Sequence, residues 1–306
     1  MNVSINPWYF CNFKCHFCYL TESQLRDRKL LSIEKLNELL TEIQTYTKID
    51  HVDLYGGEIS LLPQSYLQEL KTCFQIHGLE YVNINTNLSA LPKEFLDPYW
   101  DISVSYDFTA REQSDKVWKN MLLLDKEFSV LMLASDKLLN LNVNEMIQQF
   151  NLLNNLVSVE IKPYSPNQSN NLKVSYIQFE NFIKKWITSP IEKKFSFNNL
   201  NLLEDVLTNN RNSFSDDHVY ITPSGQFAVL EFDLNDNEFF QEYETFEEYL
   251  NWCETEKYRV EKNKFCSNCN YFSRCLSEHL REVKNLDESC NGFKNLIDWY
   301  AVRKRH

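Results

Sequence analysis

Glycine is scarce in this chain, five residues in 306, where an average composition holds about 7%. Each glycine is therefore expected where the backbone requires one. Gly56 and Gly57 are adjacent, Gly78 follows an apolar-periodic segment as a helix stop, and Gly225 makes a turn between two strands in Pro223-Ser224-Gly225-Gln226. Gly292 closely follows Cys290. Positive charge is also short: 31 Lys and Arg stand against 43 Asp and Glu, a net charge of −12. That argues against the basic face a nucleic-acid grip needs, while leaving room for a local basic patch. The one basic run, Arg303-Lys304-Arg305-His306, reads as a solvated tail. There is no apolar stretch of about 18 residues to cross a membrane, and no basic segment followed by an apolar one to act as a secretory signal. These absences point to a cytoplasmic protein of one large or two ordinary domains.

What is present is cysteine, in clusters. Nine cysteines, an odd number in a cytosolic setting, read as metal ligands before disulfides. Three fall within Cys11-Asn12-Phe13-Lys14-Cys15-His16-Phe17-Cys18. Three thiolates on one tight loop can hold an iron–sulfur cluster and leave one iron open for a ligand. A structural zinc site would need a fourth ligand, and zinc sites usually pair two short elements rather than use one triplet. The second group is Cys266, Cys269 and Cys275, with Cys290 after a longer gap; its spacing alone permits zinc or iron–sulfur. Cys73 falls on the apolar side of a predicted helix and reads as core. Cys253 is a candidate hydrogen-atom donor or substitute ligand, against the plainer reading of a buried thiol. His218 and His279 read as packed or exposed side chains. Asp216, Asp217, Glu242, Glu244, Glu247 and Glu248 read as a solvated acidic face rather than a dock for a basic peptide.

The first half alternates. Short strands are predicted at 3–5, 51–55, 81–85 (with Val82 and Ile84 inward), 102–106, 130–133 and 157–161. Between them lie helices at 33–43 behind the N-cap Ser32, 63–74, 117–122 and 146–153, and a turn at 92–96. Such alternation implies a parallel sheet with right-handed crossovers, here a partial (β/α)6 TIM-like barrel. Ligand sites of parallel α/β folds sit at the C-terminal strand ends. The cysteine triplet, Gly56-Gly57-Glu58, Thr86-Asn87 and Ser105-Tyr106-Asp107 all fall there. An Asn- and Ser-rich connector with one helical segment at 177–187 follows. Then come a hairpin (219–221 and 226–232) and an acidic, aromatic helix at 239–252. The expected organisation is an α/β barrel over 1–165, a connector over 166–215 packing on it, and a small C-terminal α+β iron–sulfur domain over 216–306.

The cysteine loop with Phe17 before its last thiol, opening a β/α domain, and Gly56-Gly57-Glu58 after the second strand, resemble the radical S-adenosylmethionine (SAM) superfamily over residues 1–165. The resemblance implies that Cys11, Cys15 and Cys18 ligate a [4Fe–4S] cluster and that SAM chelates its open iron. Reductive cleavage of SAM then yields a 5′-deoxyadenosyl radical, which takes hydrogen from a substrate. It also implies that Phe17 packs near the adenine, that Gly56 and Gly57 allow close backbone approach, and that Glu58 and nearby backbone accept from the SAM amino group. Asn87 and Ser105 fit positions touching the methionyl or ribose part. Ile59 stands where the family often has proline. The distal cysteines resemble the auxiliary-cluster region of the SPASM and twitch subfamilies. Leu230 and His279 stand where two ligands of the first auxiliary cluster are expected. The resemblance therefore implies one auxiliary [4Fe–4S] cluster, on Cys266, Cys269, Cys275 and Cys290, working in electron transfer. The implied substrate is a ribosomally made peptide (crosslinking, thioether formation, epimerisation or desaturation) and the implied reductant a flavodoxin or ferredoxin. Alternatives are a small-molecule oxidoreductase and, remotely, a structural zinc protein. The cysteine loop begins at residue 11, so a peptide is expected to dock elsewhere than on a preceding domain.

Overall fold

The computed structural model describes residues 1–164, 172–230, 240–277, 290 and 292–305. The expected positions 165–171, 231–232, 239, His279 and His306 lie outside the described residues.

The six predicted barrel strands are present: β1 (Asn2–Ile5), β2 (His51–Leu54), β3 (Val82–Thr86), β4 (Trp100–Ser105), β5 (Phe128–Leu133) and β6 (Leu156–Lys162). They pair in sequence order and all in parallel. The crossovers carry α1 (Ile33–Tyr46), α2 (Gln64–Ile76), α3 (Ser114–Leu123) and α4 (Val143–Phe150). The Ser32 side chain caps α1 by accepting from Lys35 N, which satisfies one of the orphan amides of the first turn. Leu36, Leu39, Leu40 and Ile43 then lie on one buried face, the stripe that 3.6-residue periodicity demands. Cys73 is buried on the core side of α2, as its spacing implied.

Val82 and Ile84 lie inward, as expected, and the opposite face of β3 lines an open lumen. Both are fully buried in the hydrophobic core between the sheet and its helices. The barrel lumen is lined instead by Asn83 and Asn85. The same holds along the sheet, where Ser4, Asp53, Ser103 and Ser129 face the cavity while their apolar neighbours Val3, Val52, Ile102 and Val130 belong to the core. A closed TIM barrel fills its interior with bulky branched side chains. Here the small polar residues leave it open.

Beyond the barrel, the connector holds α5 (Tyr176–Thr188), a two-residue strand β7 (Ser196–Phe197) on the far edge of β6, and α6 (Asn198–Thr208). Only the first of these helices was expected. Three strands follow: β8 (His218–Ile221), β9 (Phe227–Leu230) and β10 (Phe240–Tyr243). β8 pairs in parallel with β1, so the hairpin continues the barrel sheet, whose order is β10-β9-β8-β1-β2-β3-β4-β5-β6-β7. β10 occupies residues expected to be helical. The helix α7 (Phe246–Lys262) starts only at the Thr245–Glu248 capping box. Short α8 (Lys264–Ser267) and terminal α9 (Lys294–Lys304) complete the described chain.

Candidate functional site

A cavity of about 750 Å³ opens at the C-terminal strand ends and runs down the barrel lumen. Cys11, Cys15, Cys18, Phe17, Gly56, Gly57, Glu58, Asn87 and Ser105 all line it, so one wall gathers every residue predicted for the cofactor. The loop bearing the thiols is held by its own backbone and by its neighbours. Cys18 N donates to Cys15 O (3.0 Å) and Cys11 N to Leu25 O (3.1 Å). Donors also converge on two of the sulfurs. Phe13 N reaches Cys11 Sγ at 3.4 Å and Asn87 Nδ2 reaches it at 3.7 Å, while an Arg111 guanidinium nitrogen lies 3.7 Å from Cys15 Sγ. Burial pushes the Cys11 thiol up to about 12 and Cys15 to about 11, and raises Cys18 as well. Among the described residues no three His, Cys, Asp or Glu side chains are drawn tightly enough to enclose a metal ion as they stand. Three thiols on one loop, facing one cavity with N–H donors beside them, suit a ligand that replaces their protons with iron and accepts hydrogen bonds at sulfur.

The glycine pair sits where only glycine fits. Gly56 has φ +137°, a region closed to side chains. A Cβ on Gly57 would lie 2.1 Å from Phe10 O and 2.6 Å from Phe10 C. The turn runs alongside the segment that leads into the cysteine loop, with Gly57 N donating to Trp8 O (3.1 Å) and Glu58 N to Phe10 O (2.8 Å). Replacing Gly57 by Ala is expected to displace this segment and to cost about 3 kcal/mol. Urea unfolding of the metal-free protein measures the loss, and a midpoint equal to wild type would refute it.

Glu58 is 1% exposed. Its Oε1 accepts from Ser60 N (2.8 Å) and Thr86 Oγ1, and its Oε2 accepts from Asn87 N (2.6 Å). The carboxylate thus ties the turn after β2 to the end of β3, and burial raises its pKa against the pull of these donors. Glu58→Ala would orphan three buried donors at about 1–3 kcal/mol each. A large fall in the urea midpoint is expected, and an unchanged one would show the network to be dispensable. Asn87 Oδ1 accepts from Ser89 N (2.8 Å), and its Nδ2 points at Asn12 and Cys11. Ser105 lines the cavity at the end of β4.

One functional group escaped the sequence reading. Arg111 spans the site: its Nε donates to Asp107 Oδ2 (2.6 Å), one terminal nitrogen faces Cys15, and its guanidinium lies 4.9 Å from the centroid of Phe17. Asp107 is fully buried and also accepts from Leu133 N (2.6 Å). The only sequence signal was the strand-end aspartate four residues before an arginine.

At the distal cluster, Cys266 ends up on α8 and Cys269 N donates to Cys266 O (3.0 Å). The carbonyl of Cys275 accepts from Arg211 Nε (2.9 Å) and Ser213 Oγ (2.8 Å), which fastens this loop to the connector. A Cβ on Gly292 would meet Cys275 Sγ at 2.7 Å and Cys290 Sγ at 3.7 Å, so these two thiols flank one glycine. Burial, then the neighbouring Cys275, Cys290 and Cys269, push Cys266 up to about 11. Cys253 is elsewhere: it is 1% exposed inside the main hydrophobic core and forms no part of the cavity wall. A hydrogen donor to a substrate must line that wall, so its position does not suit the role.

Fold and site together define a partial parallel α/β barrel with a three-thiol loop at the strand C-termini. Residues 5–121 match the family described as the Radical SAM superfamily. No curated protein sequence matches the chain. Solved structures with a similar fold include anSMEcpe with bound AdoMet, at 15% identity and TM-score 0.73 over 99% of this chain and 93% of that one. The native anSMEcpe with bound AdoMet and the Cp18Cys peptide is 14% identical, with TM-score 0.68 over 99% and 98%. SuiB of Streptococcus suis bound to the precursor peptide SuiA is 16% identical, with TM-score 0.62 over 90% of this chain and 70% of SuiB. Among the described residues no helix is long and apolar enough to cross a membrane.

Proposed function

We propose that this protein is a radical SAM enzyme that modifies a peptide. The observation that carries the reading is the three-thiol loop opening onto a cavity whose other walls are the strand-end residues of the barrel. Cys11, Cys15 and Cys18 would hold the [4Fe–4S] cluster. When bound, the cluster and SAM supply an electron and a carbon-centred radical that removes hydrogen from the substrate. The chain's own residues bind, orient and shield. Arg111 is the cation beside Cys15 and offers a fork for the SAM carboxylate. Phe17, buried under that guanidinium, offers its ring to the adenine. Gly57 keeps the turn low, and Glu58 holds Asn87 and the turn backbone in place from beneath. Asn87 and Ser105 offer amide and hydroxyl groups to the methionyl and ribose parts.

The peptide assignment draws support from two structural relatives that hold peptides and from the lumen itself. Its wall of Ser4, Asp53, Asn83, Ser103 and Ser129 offers hydrogen bonds to amides and polar side chains rather than a dry apolar slot. A protein with all four distal cysteines engaged would carry a second, fully ligated cluster for electron transfer. Anaerobic reconstitution should then give about eight iron per chain, and replacing Cys266 and Cys269 by Ala should lower this to about four. About four iron in the parent protein would refute the auxiliary cluster. Formation of 5′-deoxyadenosine with dithionite and SAM tests the reading as a whole, and its absence would overturn it.

A further inference from the structure

Three tyrosines contributed by distant segments meet on the cavity wall. Tyr19 follows Cys18 directly, Tyr55 ends the second strand just before the glycine pair, and Tyr220 lies on β8. All three line the cavity. The rings of Tyr19 and Tyr55 stack with centroids 5.9 Å apart, and Tyr55 and Tyr220 lie 6.4 Å apart. His218 stacks on Tyr220 at 4.9 Å, and its Nε2 lies 2.9 Å from Ser4 Oγ. Tyr9, Phe240 and Leu230 close the group from the hairpin side. Leu230 is the position where the SPASM pattern would place a cluster-ligating cysteine, so this chain puts an aromatic cluster beside it instead.

We propose that Tyr19, Tyr55 and Tyr220 form a hydrogen-atom relay that closes the substrate radical by returning hydrogen to it. A phenolic O–H bond is weaker than an ordinary alkyl C–H bond, so transfer to an unstabilised alkyl radical runs downhill. In the step, a C–H bond forms on the substrate, the tyrosine O–H bond breaks, and the unpaired electron passes to the phenol oxygen. One electron from the low-potential reductant that drives SAM cleavage, with one proton from water, restores the phenol. The radical passes between neighbouring rings, from Tyr19 stacked on Tyr55 to the tilted Tyr220 on β8. With Cys253 enclosed in the core, the tyrosines take the role the sequence had offered to a thiol. The relay rests on the radical SAM reading and narrows it. It favours reactions that end with hydrogen returned to an unstabilised alkyl carbon over those that end with an electron lost.

The test uses reconstituted holoenzyme whose cluster is reduced with dithionite and freed of the excess before mixing with SAM; no substrate is present, so the 5′-deoxyadenosyl carbon radical stands in for the substrate's at the cavity wall. Samples are freeze-quenched for electron paramagnetic resonance, and 5′-deoxyadenosine is measured in parallel. The expected result is a tyrosyl signal whose proton hyperfine structure collapses in protein grown on ring-deuterated tyrosine, a control that leaves the fold untouched. The signal should be lost in the combined variant Tyr19→Phe, Tyr55→Phe, Tyr220→Phe. Formation of 5′-deoxyadenosine without any tyrosyl signal would overturn the relay alone, as would a signal that persists in the combined variant or ignores ring deuteration. No 5′-deoxyadenosine at all would overturn the reading beneath it and the relay with it.

Discussion

Replacing Cys15 by Ala should abolish SAM cleavage and remove about four iron per chain, while leaving any distal cluster in place. The expected loss of 5′-deoxyadenosine formation is on the order of a thousandfold or more, the scale at which removal of an essential group leaves only residual chemistry. The reason is geometric. Cys11, Cys15 and Cys18 all face the cavity, and with one sulfur gone two cannot fix a cuboidal cluster and also dedicate one iron to a ligand. Cys15 sits at the middle of the loop, its carbonyl accepting from Cys18 N and its sulfur beside Arg111. The alanine methyl keeps the backbone and the hydrogen bond to Cys18 N. The defect should therefore appear in iron content and cleavage but not in the unfolding midpoint of the metal-free protein. Retained cleavage by this variant would mean that the cofactor sits elsewhere.

The cysteine loop and the strand-end residues were legible in the sequence because their signal is local. Three thiols in eight residues need no tertiary information, and short apolar runs separated by helical periodicity announce a parallel α/β sheet. The polar lumen on the other face of the strands was not legible. Val-Asn-Ile-Asn in β3 alternates cleanly, but alternation cannot say which face meets helices and which meets a lumen. The sequence reading set Val82 and Ile84 inward, and both are buried; that Asn83 and Asn85 line a lumen depends on how the whole sheet curls. β10 was hidden for a different reason. Phe240–Tyr243 is read as strand only once β9 is there to pair with it, a tertiary override of local preference. The start of α7 was readable from Thr245 and Glu248 as a capping box, and that signal bounded the helix better than the aromatic and acidic composition did.

The parts that escaped are those assembled from distant segments. Arg111 gains meaning only when the segment after β4 sets the buried Asp107 against it and the loop carries Cys15 and Phe17 to its other side. The tyrosines come from residues 19, 55 and 220 and share no spacing that a sequence could display. Both groups surround the thiol loop from the sides that its own motif leaves undefined.

Arg111→Leu should destabilise the metal-free protein by about 3–5 kcal/mol, the usual cost of stripping the partner from a buried charge. The Asp107 side chain has no exposed surface and the Arg111 side chain 13%, so water cannot replace the guanidinium. Burial already raises the Asp107 pKa against the pull of Arg111, and removal of the cation would raise it further. The folded variant then binds more protons than the unfolded chain between the ordinary aspartate value and the raised one, so its stability falls as pH rises through that window. The penalty relative to wild type should accordingly be smaller at about pH 5 than at about pH 7. Arg111→Lys should recover only part of the loss, since one ammonium cannot donate to Asp107 and also lie between Cys15 and the Phe17 ring as the fork does. Adding Asp107→Asn to Arg111→Leu removes the orphaned charge and should restore most of the stability. It should not restore SAM affinity in the holoenzyme, because the cation beside Cys15 is still missing. Urea unfolding at the two pH values and equilibrium SAM binding separate these effects. Full recovery of SAM binding in the double variant would show that Arg111 serves the fold alone.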